Sequence, residues 1–219
     1  IFLRILKFSP RNKNALQSLL LVNEKLKNFK KSKEIAQALE ELNIDVSVEK
    51  VYFDTLIILN DPILSYEKRT ELLFEIFKEN KIIQRIFATF LIQSNREFFF
   101  SNIDMFDCEK LIDILWYQKK EDIDFDKIKN NQFLNELYSA KNYINSVSTS
   151  SDFDLNILIL INKYQKDIKT NLTFEFICNS CKLSSPFYEA RCPNCHSILS
   201  LEVKHHLTKA YELSNQSLQ

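Results

Sequence analysis

FEFICNSCKLSSPFYEARCPNC, residues 174–195, is the stretch on which the reading of the chain turns. It holds two Cys-x-x-Cys pairs, Cys178/Cys181 and Cys192/Cys195, with ten residues between them. Each pair places two thiolates on one tight turn. Two such turns facing each other offer four sulfurs at the corners of a tetrahedron. The alternation of Phe174, Phe176 and Cys178 predicts a short strand running into the first turn. The spacer is long enough for a strand out, a turn near Pro186 and a strand back. Four of the five cysteines fall in this pattern, which favours a reducing compartment and a metal site over disulfides. Soft four-sulfur ligation selects one zinc or iron ion per chain. Cys108 sits in an apolar helical pattern and is expected as a buried thiol. Four thiolates close the shell, so His205 and His206 are expected in an exposed tail and His196 as a surface imidazole.

Upstream of the ribbon the periodicity is helical. Pro10 ends a first helix containing Phe2, Ile5 and Leu6. Leu16, Leu19, Leu20, Asn23 and Leu26 mark one face of a second, and after a short Lys27-Asn28 turn Ser32, Ile35, Ala36 and Leu39 mark a third. Small residues on that last face allow two helices to cross closely. Helical hairpins continue beyond Val48. Leu72, Leu73, Ile76 and Phe77 form one face; Ile82, Ile83, Ile86, Phe87, Phe90 and Leu91 form another. Asp107 is expected to cap a helix bearing Leu111, Ile114 and Leu115. Phe133, Leu134, Leu137, Ala140 and Tyr143 mark the next helix. Ser146–Ser151 is the best linker candidate. Phe153, Ile157, Leu160, Ile161, Tyr164 and Ile168 fit a final helix, although the β-branched run also allows a strand. The ribbon follows this helix after five residues and has little core of its own. It is therefore expected to dock on the face made by Phe153, Ile157 and Tyr164. The resulting layout is mainly α, a solenoid of helical hairpins over 1–170, a metal ribbon over 171–206 and a tail over 207–219.

The chain has 219 residues and no glycine, where average usage is about 7%. Gly-rich phosphate loops, dinucleotide fingerprints and nucleophile elbows are thereby excluded in their standard forms. Tight β-hairpins also lean on glycine, which leaves helices joined by Asn, Asp, Ser and Pro. Net charge is zero, yet residues 1–33 carry nine Lys and Arg against Glu24 alone. Those cations read either as solvated helix faces or as a surface for anionic lipid or an acidic partner. No apolar run approaches the roughly 18 residues of a membrane span. The chain begins at Ile1 and its one Met is Met105, so the start of the gene product is expected upstream.

Leu16, Leu19, Phe29, Ser32 and Ala36 match the large and small positions of the tetratricopeptide repeat, and Pro10 stands where a repeat closes. Lys27 replaces the usual turn glycine, and Asn23 the usual aromatic near the end of the first helix. The tail segment resembles the rubredoxin-like ribbon of the lipopolysaccharide assembly protein B family, which also places repeats before a ribbon. The resemblance rests on Phe176, Cys178 and Cys181, on the ten-residue spacer with Tyr188, and on Cys192, Pro193 and Cys195. It is close over about thirty residues at the end and looser over the first forty-four. Lys182 and His196 depart from it, standing where these turns usually carry glycine. Ala190 and Arg191 replace a tryptophan often found before the third cysteine.

The resemblance implies a non-catalytic protein-binding adaptor on the cytoplasmic side of a bacterial inner membrane, with an anchor preceding the repeats. It further implies a role in regulating lipopolysaccharide synthesis through a membrane AAA protease, and a groove lined by Asn14, Gln17, Leu21 and Glu24. Two alternatives stay open. One is a nucleic-acid-binding zinc ribbon. From Thr173 to His206, however, Lys182, Arg191 and Lys204 only balance Glu175, Glu189 and Glu202, and four thiolates on a divalent ion add negative charge, so the ribbon is a poor phosphate binder. The other is an iron-loaded electron-transfer ribbon. A closed four-sulfur shell has no open position for hydrolytic chemistry.

Overall fold

The structure, a computed structural model, describes residues 1–165 and 169–209. Ile168 and 210–219 of the expected tail lie outside them. The fold is mainly helical with a small three-stranded sheet. It divides into two compact units, Ile1–Phe90 and Leu91 onward. No helix among the described residues is long and apolar enough to cross a membrane.

The first unit contains α1 (Phe2–Phe8), α2 (Lys13–Lys25), α3 (Phe29–Glu40), α4 (Ser47–Leu59) and α5 (Tyr66–Glu79). A 3₁₀ turn, Lys81–Ile83, then leads into α6 (Gln84–Ser94). Proline cannot continue a helix, and α1 stops before Pro10. Asn12 restarts the chain by accepting the Ala15 N–H at 2.9 Å. Leu16, Leu20 and Asn23 of α2 are buried, as are Ser32, Ala36 and Leu39 of α3. Ser32 and Ala36 are fully enclosed, and the Ser32 hydroxyl donates to the Leu20 carbonyl at 3.4 Å. Small side chains permit that approach. Leu26, expected on the buried face, is 65% exposed. The helix ends at Lys25 and Lys27 turns left-handed at φ 58°, so the 3.6-residue period no longer carries Leu26 inward. Beyond the turn, α3 packs on α4 and α4 on α5. Phe53, Leu73, Phe77 and Phe87 are fully buried, with Phe77 and Phe87 rings 5.4 Å apart.

The second unit runs through α7 (Arg96–Ser101), α8 (Ile112–Trp116), α9 (Phe125–Ile128), α10 (Gln132–Ala140) and α11 (Phe153–Tyr164) to strands β1 (Thr170–Cys178), β2 (Ser184–Ser185) and β3 (Leu201–Lys209). Asp107 accepts the Lys110 N–H at 3.5 Å, ahead of a 3₁₀ turn, Glu109–Leu111, that opens α8. The stretch expected as a linker is tied down. Ser146 shares a hydrogen bond with Ser139 at 3.2 Å, and the Ser150 hydroxyl donates to the buried Glu136 carboxylate.

The Ile-rich segment is helical, its N-terminus capped by Asp152, which accepts the Leu155 N–H at 2.9 Å. Its buried side is Leu155, Leu158 and Ile159. Phe153 and Tyr164 are 74% and 69% exposed, so the expected docking face is rotated out of the core. An apolar helix carries more than one stripe that could serve, and α10 and the sheet select this one.

The sheet order is β2-β1-β3, all antiparallel. Of the strand out, turn near Pro186 and strand back expected in the spacer, the first is the two-residue β2 ahead of Pro186, and the return is reduced to a single bridge between Arg191 and Ile198. The principal partner of β1 is β3, paired from Thr170↔Lys209 to Cys178↔Leu201. His205 and His206 therefore lie on a strand and not in a tail, and that strand reaches three residues past the boundary expected at 206. Lack of glycine does not hinder the pairing, because residues 179–200 join the two strands in place of a tight turn.

Candidate metal centre

Two turns of the same construction bring the cysteines together. In the first, the Cys178 N–H donates to the Leu183 carbonyl at 2.9 Å, and the Lys182 N–H donates to the Cys178 carbonyl at 2.8 Å. In the second, Cys192 donates to Ser197 at 2.9 Å and His196 to Cys192 at 3.0 Å. Each turn needs a left-handed residue at its fifth position. Lys182 and His196 supply it at φ 61° and 62°, so the departures from glycine noted above leave the turn intact at the cost of local strain. A left-handed L-residue costs roughly 1–2 kcal/mol, part of which glycine returns through its greater unfolded freedom. Lys182→Gly and His196→Gly are each expected to stabilise the metal-loaded chain by about 0.5–1 kcal/mol. Denaturant unfolding at constant metal checks this, and an unchanged or lower midpoint would show the turns to be unstrained.

The turns face each other across the end of the sheet. The Asn179 N–H donates to the Ser200 carbonyl at 2.8 Å, and an isolated bridge pairs Arg191 with Ile198. Beneath them Phe176, Cys178, Cys192 and Leu201 form a small core against Cys181, Tyr188 and Val203. The Phe176 and Tyr188 rings meet edge to face at 5.7 Å. All four sulfurs lie within 4.8 Å of one another, with Cys178–Cys195 at 3.7 Å and Cys181–Cys192 at 3.6 Å. A tetrahedron with metal–sulfur bonds of about 2.3 Å has edges of roughly 3.8 Å. The donor set and its spacing thus fit such an ion, and the four cysteines could bind one.

The sulfurs are not equivalent. Cys178 and Cys192 are fully buried, Cys181 is partly covered and Cys195 is exposed. Burial opposes ionisation of Cys178. The Ser200 and Ser197 hydroxyls and the N–H groups of Cys181 and Ser180 outweigh it and bring the thiol down to about 5. The Asn194 side chain and the Leu183 N–H lower Cys181. Burial pushes Cys192 up to about 11, reinforced by the neighbouring Cys181 and Cys178 sulfurs. Cys108 lies away from this cluster in the helical core, where burial and the nearby Asp107 and Asp104 push it up to about 12.

The ribbon is held against the helices of its own unit. The Trp116 indole N–H donates to Asn171 Oδ1 at 2.9 Å, and Tyr117 meets Phe174 edge to face at 5.7 Å. Leu172 is buried. His205 Nε2 lies 3.0 Å from Asp152 Oδ2 at the start of α11. Docking is therefore present, but the partners are the end of α8 and the cap of α11 instead of Phe153 and Tyr164. His206 turns the other way, to Glu175 at 3.0 Å.

The candidate groove residues occupy one side of α2. Asn14 and Gln17 are exposed, Leu21 and Glu24 half-buried, and the Tyr52 hydroxyl donates to Glu24 at 3.3 Å. Sequence reasoning passed over Ser197, Ser200 and Asn194, which surround the sulfurs. The one legible signal was their position within five residues of Cys195. Compared with known proteins, the chain matches no family model and no curated protein.

Proposed function

We propose that the chain is a non-catalytic, protein-binding adaptor: a tetratricopeptide-like scaffold of helical hairpins ending in a rubredoxin-like ribbon closed by one zinc or iron ion. The observation that carries this reading is the closed set of four converging sulfurs on a ribbon seated against helices. Such a site serves structure, because four thiolates leave an ion no position for a reacting group. The enclosed Ser32 and Ala36 and the left-handed Lys27 between α2 and α3 support the repeat reading. The resemblance extends the proposal to the cytoplasmic face of a bacterial inner membrane and to control of lipopolysaccharide synthesis through a membrane AAA protease. In this reading Asn14, Gln17, Leu21 and Glu24 contact the partner.

A basic surface supports a second contact, with anionic lipid. Lys27, Lys30 and Lys31 line a cavity of about 420 Å³ together with Phe29, Ile57 and Ile63, of which Ile63 is 90% exposed. One binding series tests both contacts. The purified chain should bind the cytoplasmic part of a membrane AAA protease, and Asn14→Arg with Gln17→Arg should weaken that binding at least tenfold. It should also float with vesicles containing acidic headgroups more than with neutral ones, and less as salt rises. Absence of protease binding would end the partner assignment. Equal flotation with both vesicle types would return the lysines to a solvated face.

A further inference from the structure

Two serines beside the sulfurs have no equivalent in the first turn. Ser197 and Leu183 hold matching positions in the two turns, since each gives its carbonyl to the first cysteine of its pair. Ser197 Oγ lies 3.0 Å from Cys195 Sγ and 3.5 Å from Cys178 Sγ. Ser200 Oγ lies 3.3 Å from Cys178 Sγ and 2.7 Å from Ser197 Oγ. Both serines are half-buried, so the pair is partly shielded from competing water.

We infer that Ser197 and Ser200 form a hydroxyl pair that offsets the negative charge of the thiolates and holds Cys178 and Cys195 ready for a divalent ion. This rests on the metal reading proposed above. Four thiolates around a divalent ion leave a net charge of −2, while from Thr173 to His206 three cationic side chains only match three carboxylates. Nothing else in the sequence of the second turn supplies a side-chain hydroxyl at this position. Hydrogen bonds to ionised acceptors are roughly twice as strong as neutral ones, which makes the pair most effective when the sulfurs are thiolates. Ser197 donates to Cys195. Ser200 donates to Cys178 at 3.3 Å, with its oxygen 2.7 Å from Ser197 Oγ. The two cysteines so addressed come from opposite turns, so the pair also fixes how the turns face each other. Ser197 and Ser200 are positioning residues and do not themselves ligate.

The test uses the full chain, with zinc(II) affinity measured by chelator competition and the sulfur-to-metal charge-transfer band recorded with cobalt(II). Loss of outer-shell partners costs about 10–100-fold in metal affinity, and Ser197→Ala with Ser200→Ala is expected to fall in that range. Sulfur electrons freed of hydrogen bonds are easier to move, so the cobalt band should shift to lower energy. Ser197→Thr keeps the hydroxyl and should retain both properties. Unchanged affinity in the double alanine variant would overturn the inference. So would weaker affinity with an unmoved band, which would mark a role in folding alone. If the unaltered chain takes up neither ion, the metal reading falls and this inference with it. Uptake by the unaltered chain together with an indifferent variant removes the inference alone.

Discussion

Purified protein is expected to contain about one zinc or iron ion per chain, and Cys178→Ser or Cys192→Ser to lose it while Cys108→Ser retains it. Cys178 and Cys192 are the buried members of the cluster, where a hydroxyl cannot replace a thiolate in charge or in bond length. A tetrathiolate shell reduced to three sulfurs loses both an anion and its closed geometry. Cys108 is buried elsewhere, with its sulfur 4.0 and 3.8 Å from the Ile103 and Phe106 carbonyls. Removing it costs packing and no ligand. Elemental analysis of gel-filtered protein decides the matter, and full metal retention after Cys178→Ser would sink the four-sulfur assignment. Retention in the Cys108 variant guards against the simpler explanation that any lost cysteine unfolds the chain.

Chelation is expected to destabilise more than the ribbon. Structural zinc sites in small peptides contribute apparent binding energies of about 10–16 kcal/mol, and that energy is folding energy. The ribbon's own core, gathered on Phe176, Cys178, Cys192 and Leu201, is too small to hold the turns once the sulfurs repel one another. Removing the ion should therefore free β1 and β3, and with them the partners they hold. The Trp116 indole would lose Asn171, Tyr117 would lose Phe174, and Asp152 would lose His205. Amide exchange should accelerate across 112–117 and 152–158 as well as across 170–209. The far-UV circular dichroism melt should move to lower temperature. Intrinsic fluorescence offers a sharper reporter, because Trp116 is the one tryptophan in the chain and sits at the junction. If chelation leaves the helical melt, the exchange at 112–117 and the emission unchanged, the ribbon is an autonomous module and its contacts with α8 carry no stability.

The accuracy of the sequence reading followed the range of the interactions involved. Pro10, Ser32 and Ala36 act within a turn or between adjacent helices, and α1, α2 and α3 lie where those residues indicate. The cysteine pairs also act over a few residues and converge as expected, whereas Asp107 reaches only the 3₁₀ turn ahead of α8, which begins at Ile112 without a side-chain cap. Errors entered wherever a choice depended on distant partners. The Ile-rich helix α11 has several apolar stripes, and the one it buries is selected by α10 and the sheet. Ser146–Ser151 has the composition of a linker, yet Glu136 and Ser139 pin it from another helix. His205 and His206 lack any local strand signal strong enough to outweigh their position near the end, and it is β1 that draws them into the sheet.

The sequence by itself determined the four sulfurs, the two turns that present them and the mainly helical character of the rest. These follow from covalent spacing, side-chain chemistry and a 3.6-residue period, all of which act along the chain. Only the tertiary structure decided that β3 is the main partner of β1 and that Trp116 and Asp152 receive the ribbon. It also decided that Ser197 and Ser200 reach the sulfurs of both turns. The physical reason is that each of these requires two segments far apart in sequence to meet, and a one-dimensional pattern carries each segment's preference without naming the surface that satisfies it.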